Sequence, residues 1–204
     1  MKAIDWINHL NMSRHPEGGY YKEIFRSEKL IDNDKSAMTS IYYLLENEDK
    51  SAFHRLTSPE VWYYHAGYPL MLHVIHPDGR LVTHLMTADF SGEQQVAIEP
   101  GCWFAAELPS HFGYALVSCA VAPGFTFDDF ELGTFDRLSK LYPDHETACP
   151  SLSAIGPAGH PRAVPGLLRF CPFQETASGR ILEETKRARQ DKILRGPLCQ
   201  AIWI

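Results

Sequence analysis

The feature that most constrains this chain is a succession of short segments in which apolar and polar residues alternate, each closed off within a few residues by Gly, Pro, Asp or Ser. They run over residues 20–26, 39–45, 61–66, 70–76, 81–86, 95–98, 104–107 and 114–121, with breaks such as Pro77-Asp78-Gly79, Ser91-Gly92-Glu93 and Pro100-Gly101. A period of two sends successive side chains to opposite faces of a strand, and these segments are too short and too often interrupted for helices. Many short strands at close spacing make a sandwich or a jelly-roll barrel, so the expected fold class is all-β. Residues 3–11 are the exception. There Ile4, Ile7 and Leu10 recur at helical spacing and predict a short N-terminal helix ahead of the turn His15-Pro16-Glu17-Gly18-Gly19.

Charge divides the chain. Residues 1–146 hold 11 Lys and Arg against 21 Asp and Glu, a net of −10, whereas residues 147–204 hold 8 against 4, a net of +4. The first part is therefore read as the β-barrel domain and the second, broken by Pro150, Pro157, Pro161, Pro165, Pro172 and Pro197, as a basic extension without assigned function. Within it, residues 181–194 could form one charged helix, although the apolar residues gather at its two ends.

The whole chain, with a formal charge of −6, has no basic footprint for neutralising phosphates, so nucleic acid is not an expected partner. No apolar run reaches the ~20 residues that cross a bilayer, and the start MKAIDWINHLNMSRHPEGG is too polar for a signal-peptide core. The expectation is a cytoplasmic protein that does not enter a membrane. An odd set of 5 cysteines without a CxxC pair argues against a disulfide framework and a zinc ribbon.

The segment HRLTSPEVWYYHAG, residues 54–67, holds the chemistry. Alternation puts Glu60, Trp62 and Tyr64 on one face and Val61, Tyr63 and His65 on the other, while His54 shares a face with Leu56. If Glu60 points inward, then His54, Glu60, Trp62 and Tyr64 converge on one cavity, an aromatic wall carrying a few polar groups. A His polarised by a carboxylate, with a Tyr hydroxyl opposite, can remove a proton alpha to a carbonyl and return one to the other face. His54 is then the base, Glu60 its orienting partner and Tyr64 the acid. The plain alternative is a His54–Glu60 pair satisfied by its own hydrogen bond, beside tyrosines that only pack. In HPEGGYYKEIFRS, residues 15–27, Gly18-Gly19 permits a close backbone approach, with Glu17, Lys22 and Arg26 available to a polar ligand or simply solvated. In VAPGFTFDDFELG, residues 121–133, aromatics at alternating positions suit a strand pairing at a barrel edge or dimer seam better than a carboxylate metal site.

The motifs HPEGGYY, SIYYLLE, SAFHRLTSPEVWYYHAG, HPDG, EPGCWFAAEL and VAPGFTFDDFEL stand in the order and spacing of a small-cupin family, a domain of unknown function, and the chain resembles that family over about residues 4–143. The resemblance implies a double-stranded β-helix, commonly a homodimer, and a likeness in fold to sugar-nucleotide epimerases and to seed storage globulins. In the complete cupin metal motif a His stands two residues after the first, where this chain has Leu56, and another falls at Phe104; His54, Glu60 and Gly67 keep the register. No cofactor and no metal is therefore assigned, with His65, His73, His76, His84 and His111 left as possible replacements. Three readings stay open: a metal-independent epimerase or isomerase acting on a small polar or sugar-like molecule, a non-catalytic small-molecule-binding module, and a metal-dependent cupin enzyme.

Overall fold

The computed structural model describes residues 1–31, 34–145 and 152–153. A first compact unit comprises Met1–Pro161; the second, Arg162–Ile204, lies outside the described residues, as does the helix expected over 181–194.

The chain opens with helix α1 (Ala3–Leu10) and strands β1 (Ser13–Arg14), β2 (Tyr20–Arg26), β3 (Leu30–Ile31), β4 (Lys35–Ser36) and β5 (Thr39–Glu46). It continues through β6 (Lys50–Leu56), β7 (Glu60–Gly67), β8 (Leu70–Ile75), β9 (Leu81–Met86) and β10 (Gln95–Ile98). The barrel closes with β11 (Trp103–Glu107), β12 (Tyr114–Val121) and β13 (Phe130–Leu132), followed by helix α2 (Phe135–Leu141). Two large antiparallel sheets result, a six-stranded one in the order β1-β2-β5-β12-β7-β10 and a five-stranded one in the order β13-β6-β11-β8-β9, beside a two-stranded β3–β4 pair. This is the jelly-roll barrel with short helices that the strand spacing predicts. No helix among the described residues is long and apolar enough to cross a membrane.

Besides the two-residue strands β1, β3 and β4, the strand missing from the expectation is β6. Its sequence KSAFHRL does not alternate cleanly, because Phe53 and Trp103 face a second apolar layer, covered by Leu138 of α2 and by Leu152, while Leu56 and Phe104 face the barrel interior. On the other sheet Ala3 of α1 and Met12 just after it cover Leu44 and Leu116, which explains why β5 carries an unbroken apolar run. α1 ends at Asn11, whose left-handed backbone (φ 51°) lets the Met12 N–H reach the Ile7 carbonyl at 2.9 Å.

The aromatic segment after β12 also differs from one continuous strand. It makes a 3-10 turn at Phe127–Asp129 and then β13, which pairs with β6 at the edge of the five-stranded sheet. Asp129 is tied to Lys35, Thr57 and Thr126, so its carboxylate is structural.

Candidate functional site

One end of the barrel is hollow. A cavity of about 510 Å³ opens there, and its walls are mostly apolar, with Ile41, Leu56, Val121, Phe125 and Phe130 among them. β6 brings His54 to it from the five-stranded sheet, whereas β7 and β12 bring Glu60 and Cys119 from the six-stranded one. The turn between β1 and β2 adds His15 and Glu17.

Glu17 reaches the interior because of the two glycines behind it. Gly18 (φ +114°) and Gly19 (φ +66°) lie in the left-handed region, and a Cβ at Gly18 would stand 1.9 Å from the Lys50 carbonyl oxygen. Only a bare backbone passes so close to β6. The turn is then held by the Ala52 N–H on the Glu17 carbonyl (2.8 Å) and by the Tyr43 hydroxyl, which donates to the Gly18 carbonyl (2.8 Å).

The Glu17 carboxyl is fully enclosed. The Ser51 hydroxyl donates to its Oε1 at 2.9 Å, and its Oε2 lies 3.2 Å from His54 Nε2 and 3.5 Å from His15 Nδ1. His54 Nδ1 sits 2.8 Å from the Ala52 carbonyl, which can only accept, so that nitrogen carries the ring proton and Nε2 presents a lone pair to Glu17. Burial pushes His54 down to about 4, against the help of the Ala52 carbonyl. Burial likewise raises Glu17, opposed by His15, Ser51 and Tyr43. With the acid raised and the imidazole lowered, a proton shared by the pair sits on Glu17 rather than on His54, and Glu17 donates it to Nε2.

Across the cavity Glu60 is pushed up to about 8, first by burial and then by repulsion from Glu17; the Cys119 thiol and the Trp62 indole oppose the shift. Cys119 is itself held well above an ordinary thiol by burial and by the two carboxyls. His15 is lowered, again by burial first, and its ring stands edge-on to Tyr21 at 4.8 Å between centroids. Burial thus favours the uncharged forms of two carboxyls and two imidazoles around apolar space. At the rim the Arg26 guanidinium is bound to Glu23 through Nε and Nη2 and to the Phe125 carbonyl through Nη1.

Among the residues singled out in the sequence, His54 and Glu60 meet at the cavity but not each other, because Glu17 takes the place at His54 expected of Glu60. Trp62 and Tyr64 do point inward with Glu60, as alternation requires, yet neither lines the cavity. Trp62 is packed against Tyr43 and Phe104 deeper in the barrel. Tyr64 lies further along, where its hydroxyl donates to the Tyr68 carbonyl at 2.9 Å and burial pushes it up to about 12. Glu17 and Arg26 line the cavity and Lys22 does not. The sequence reading passed over His15, Ser51 and Cys119; a signal for the first was its place beside Gly18-Gly19 in HPEGG.

A metal ion does not fit this donor set. Among the described residues no group of three or more His, Cys, Asp or Glu is arranged to hold one. Where further ligands would stand, Leu56 is part of the apolar core and the Phe104 ring lies 4.0 Å from that of His54. His65, His73, His76, His84 and His111 are all outside the cavity lining, and His65 bonds Ser118 on the outer face.

Comparison with known proteins bears on the same residues. The family described as Cupin superfamily (DUF985) matches residues 4–133. The uncharacterized protein YML079W of Saccharomyces cerevisiae is 29% identical over 144 residues, which are 60% of this chain and 71% of that protein. The crystal structure of protein SO0799 from Shewanella oneidensis is similar with a TM-score of 0.73 and 39% identity, covering 76% of this chain and 99% of that one. A hypothetical protein from Leishmania major gives 0.72 and 37%, covering 76% of this chain and 100% of its own.

Proposed function

The chain belongs to the DUF985 family of the cupin superfamily, and from that premise we propose that it holds a small molecule in the hollow end of its barrel and moves a proton on it. The observation that carries this reading is the pairing of Glu17 with His54 at 3.2 Å, facing an apolar cavity across from a second raised carboxyl, Glu60. Buried acids with raised pKa in a cavity are poised to act as general acids near neutral pH. In the deprotonation step the proton of the pair moves from Glu17 onto His54 Nε2, and the freed Glu17 carboxylate takes a proton from the carbon alpha to a carbonyl while Glu60, protonated, donates to the developing enolate oxygen. Return of a proton to carbon from the same or the opposite face gives exchange, isomerisation or epimerisation. His54, held by the Ala52 carbonyl at Nδ1, is the acceptor that lets Glu17 become a base. No metal step is needed or derived.

The bound molecule is amphipathic on this reading, an apolar body with one polar head, rather than a sugar with many hydroxyls. Of the hydroxyls that line the cavity, Tyr43 is engaged with Gly18, Thr39 with the Phe125 N–H and Thr126 with Asp129, which leaves Tyr21.

The test is mass gain in deuterium oxide by a panel of small neutral, anionic and cationic ketones. Uptake alpha to the carbonyl with the wild-type protein, lost in His54→Gln with the fold retained, is the expected result. Uptake that persists in His54→Gln sinks the Glu17–His54 pair as the unit that takes the proton. A second reading, a holder without chemistry, draws on the internal engagement of both His54 nitrogens. It predicts saturable binding and no deuterium uptake by any ketone.

A further inference from the structure

The charges around the cavity are lopsided. Three carboxyls, Glu17, Glu23 and Glu60, line it against one guanidinium, Arg26, and that cation already has Glu23 and the Phe125 carbonyl as partners. Inside the rim Glu17 and Glu60 face each other's field with only the neutral imidazoles of His15 and His54, the Cys119 thiol and the Tyr43 hydroxyl nearby. A phosphate or carboxylate entering here would meet two acids and no available cation. A neutral ligand would leave both acids as they are.

The walls carry the complementary feature. Tyr21, Tyr43, Phe125, Phe127 and Phe130 come from β2, β5, β13 and the segment before β13, so that rings surround the space from several directions. Aromatic rings around a desolvated space attract cations through their quadrupoles, and buried carboxyls in the same space supply the full countercharge. We propose that the molecule this cavity takes carries an organic cation, an amine or a substituted ammonium, seated between the Glu17 and Glu60 carboxyls and the surrounding rings. This deepens the reading of the cavity as a small-molecule site and rests on it; because the cation ionises Glu60, it goes with a ligand that is held rather than with Glu60 as proton donor.

A proton consequence follows. The cation needs an ionised partner, and Glu60 is the group that gives up its proton on binding, since it titrates at about 8 without ligand. His15 and His54 are both held down by burial and stay neutral through that range, and Cys119 is held too high to compete. Affinity for a permanent cation then rises about tenfold per pH unit up to about 8 and levels off above it.

The experiment is calorimetric titration of the full chain with choline, with neohexanol as its uncharged carbon isostere and with the tert-butylacetate anion. The expected order is choline first, at least about tenfold tighter than neohexanol, with the anion weakest. Choline affinity climbs toward about pH 8 while neohexanol affinity stays level. Glu60→Gln removes the pH slope and lowers the preference; Glu17→Gln lowers the preference and keeps the slope, which guards against a misfolded first variant. Neohexanol binding as tightly as choline, or a choline affinity independent of pH, overturns the cation and leaves the cavity reading standing. Binding of none of the three overturns the cation as well, and only if no ketone takes up deuterium does the cavity reading fall with it.

Discussion

The two ends of one barrel are built from the same strands to opposite purposes. At the closed end Trp62, Leu70, Leu72, Met86 and Leu108 fill the interior, all of them fully buried. At the open end Glu17, His54, Glu60 and Cys119 are almost as deeply buried, yet they surround about 510 Å³ of space. Strand β7 serves both ends, placing Glu60 at the cavity and, two residues on, Trp62 in the packed core. Burial alone therefore does not mark a core residue. What distinguishes the ends is whether the buried group meets atoms that fill its surroundings or faces a void with a proton to hold.

The largest contrast comes from that one strand. Trp62→Ala leaves a large hole in close-packed surroundings and should cost ~3–5 kcal/mol in denaturant unfolding. Glu60→Gln, equally buried, resembles the protonated carboxyl and should cost under ~1 kcal/mol at neutral pH. Comparable losses from the two would erase the difference between the ends.

Next in size is a pH effect belonging to the open end. Glu60 binds its proton up to about 8 in the folded chain against an ordinary 4.5, so its stabilising contribution is full below about 4.5 and is lost as pH rises through about 8. His54, lowered from 6.5 to about 4, works the other way: its contribution is present above about 6.5 and is lost as pH falls toward 4. The two oppose each other between about 4.5 and 6.5, so the net fall in stability appears from about 6.5 to 8. Over that window thermal melting should move down by the equivalent of roughly 1–2 kcal/mol, and Glu60→Gln should flatten it.

Gly18→Ala sharpens the comparison from the backbone. The added Cβ cannot coexist with the Lys50 carbonyl, and the loop must shift Glu17 away from His54. About 1–3 kcal/mol of stability should go, together with any deuterium exchange, while the closed end stays intact in hydrogen-exchange protection. The smallest effect is at the rim. Arg26→Ala breaks an exposed pair with Glu23 and should change stability by under ~1 kcal/mol, as read by the same denaturant curves.

The strands were legible because alternation and turn residues act locally; β2, β9, β10 and β12 coincide with the segments read from sequence. β6 was not, since both of its faces are covered and its pattern loses the period. The site was half legible for a related reason. Alternation says which face a residue occupies and nothing of how far along the barrel axis it sits, so Trp62 and Tyr64 were grouped with Glu60 although they lie progressively further along the barrel. The partner of His54 escaped entirely. Glu17 is 37 residues earlier and arrives through a loop whose shape depends on Gly18 passing against β6, a tertiary contact with no periodic trace.

The most direct measurement is a carbon NMR titration of the Glu side-chain carboxyls in labelled protein, with Glu17→Gln and Glu60→Gln to assign the two resonances. The open end is expected to show Glu60 titrating near 8 and Glu17 above the ordinary carboxylate range, while exposed glutamates titrate normally. If both titrate with the exposed glutamates, the open end keeps no protons at neutral pH, and neither the proton transfer nor the site for a cation survives.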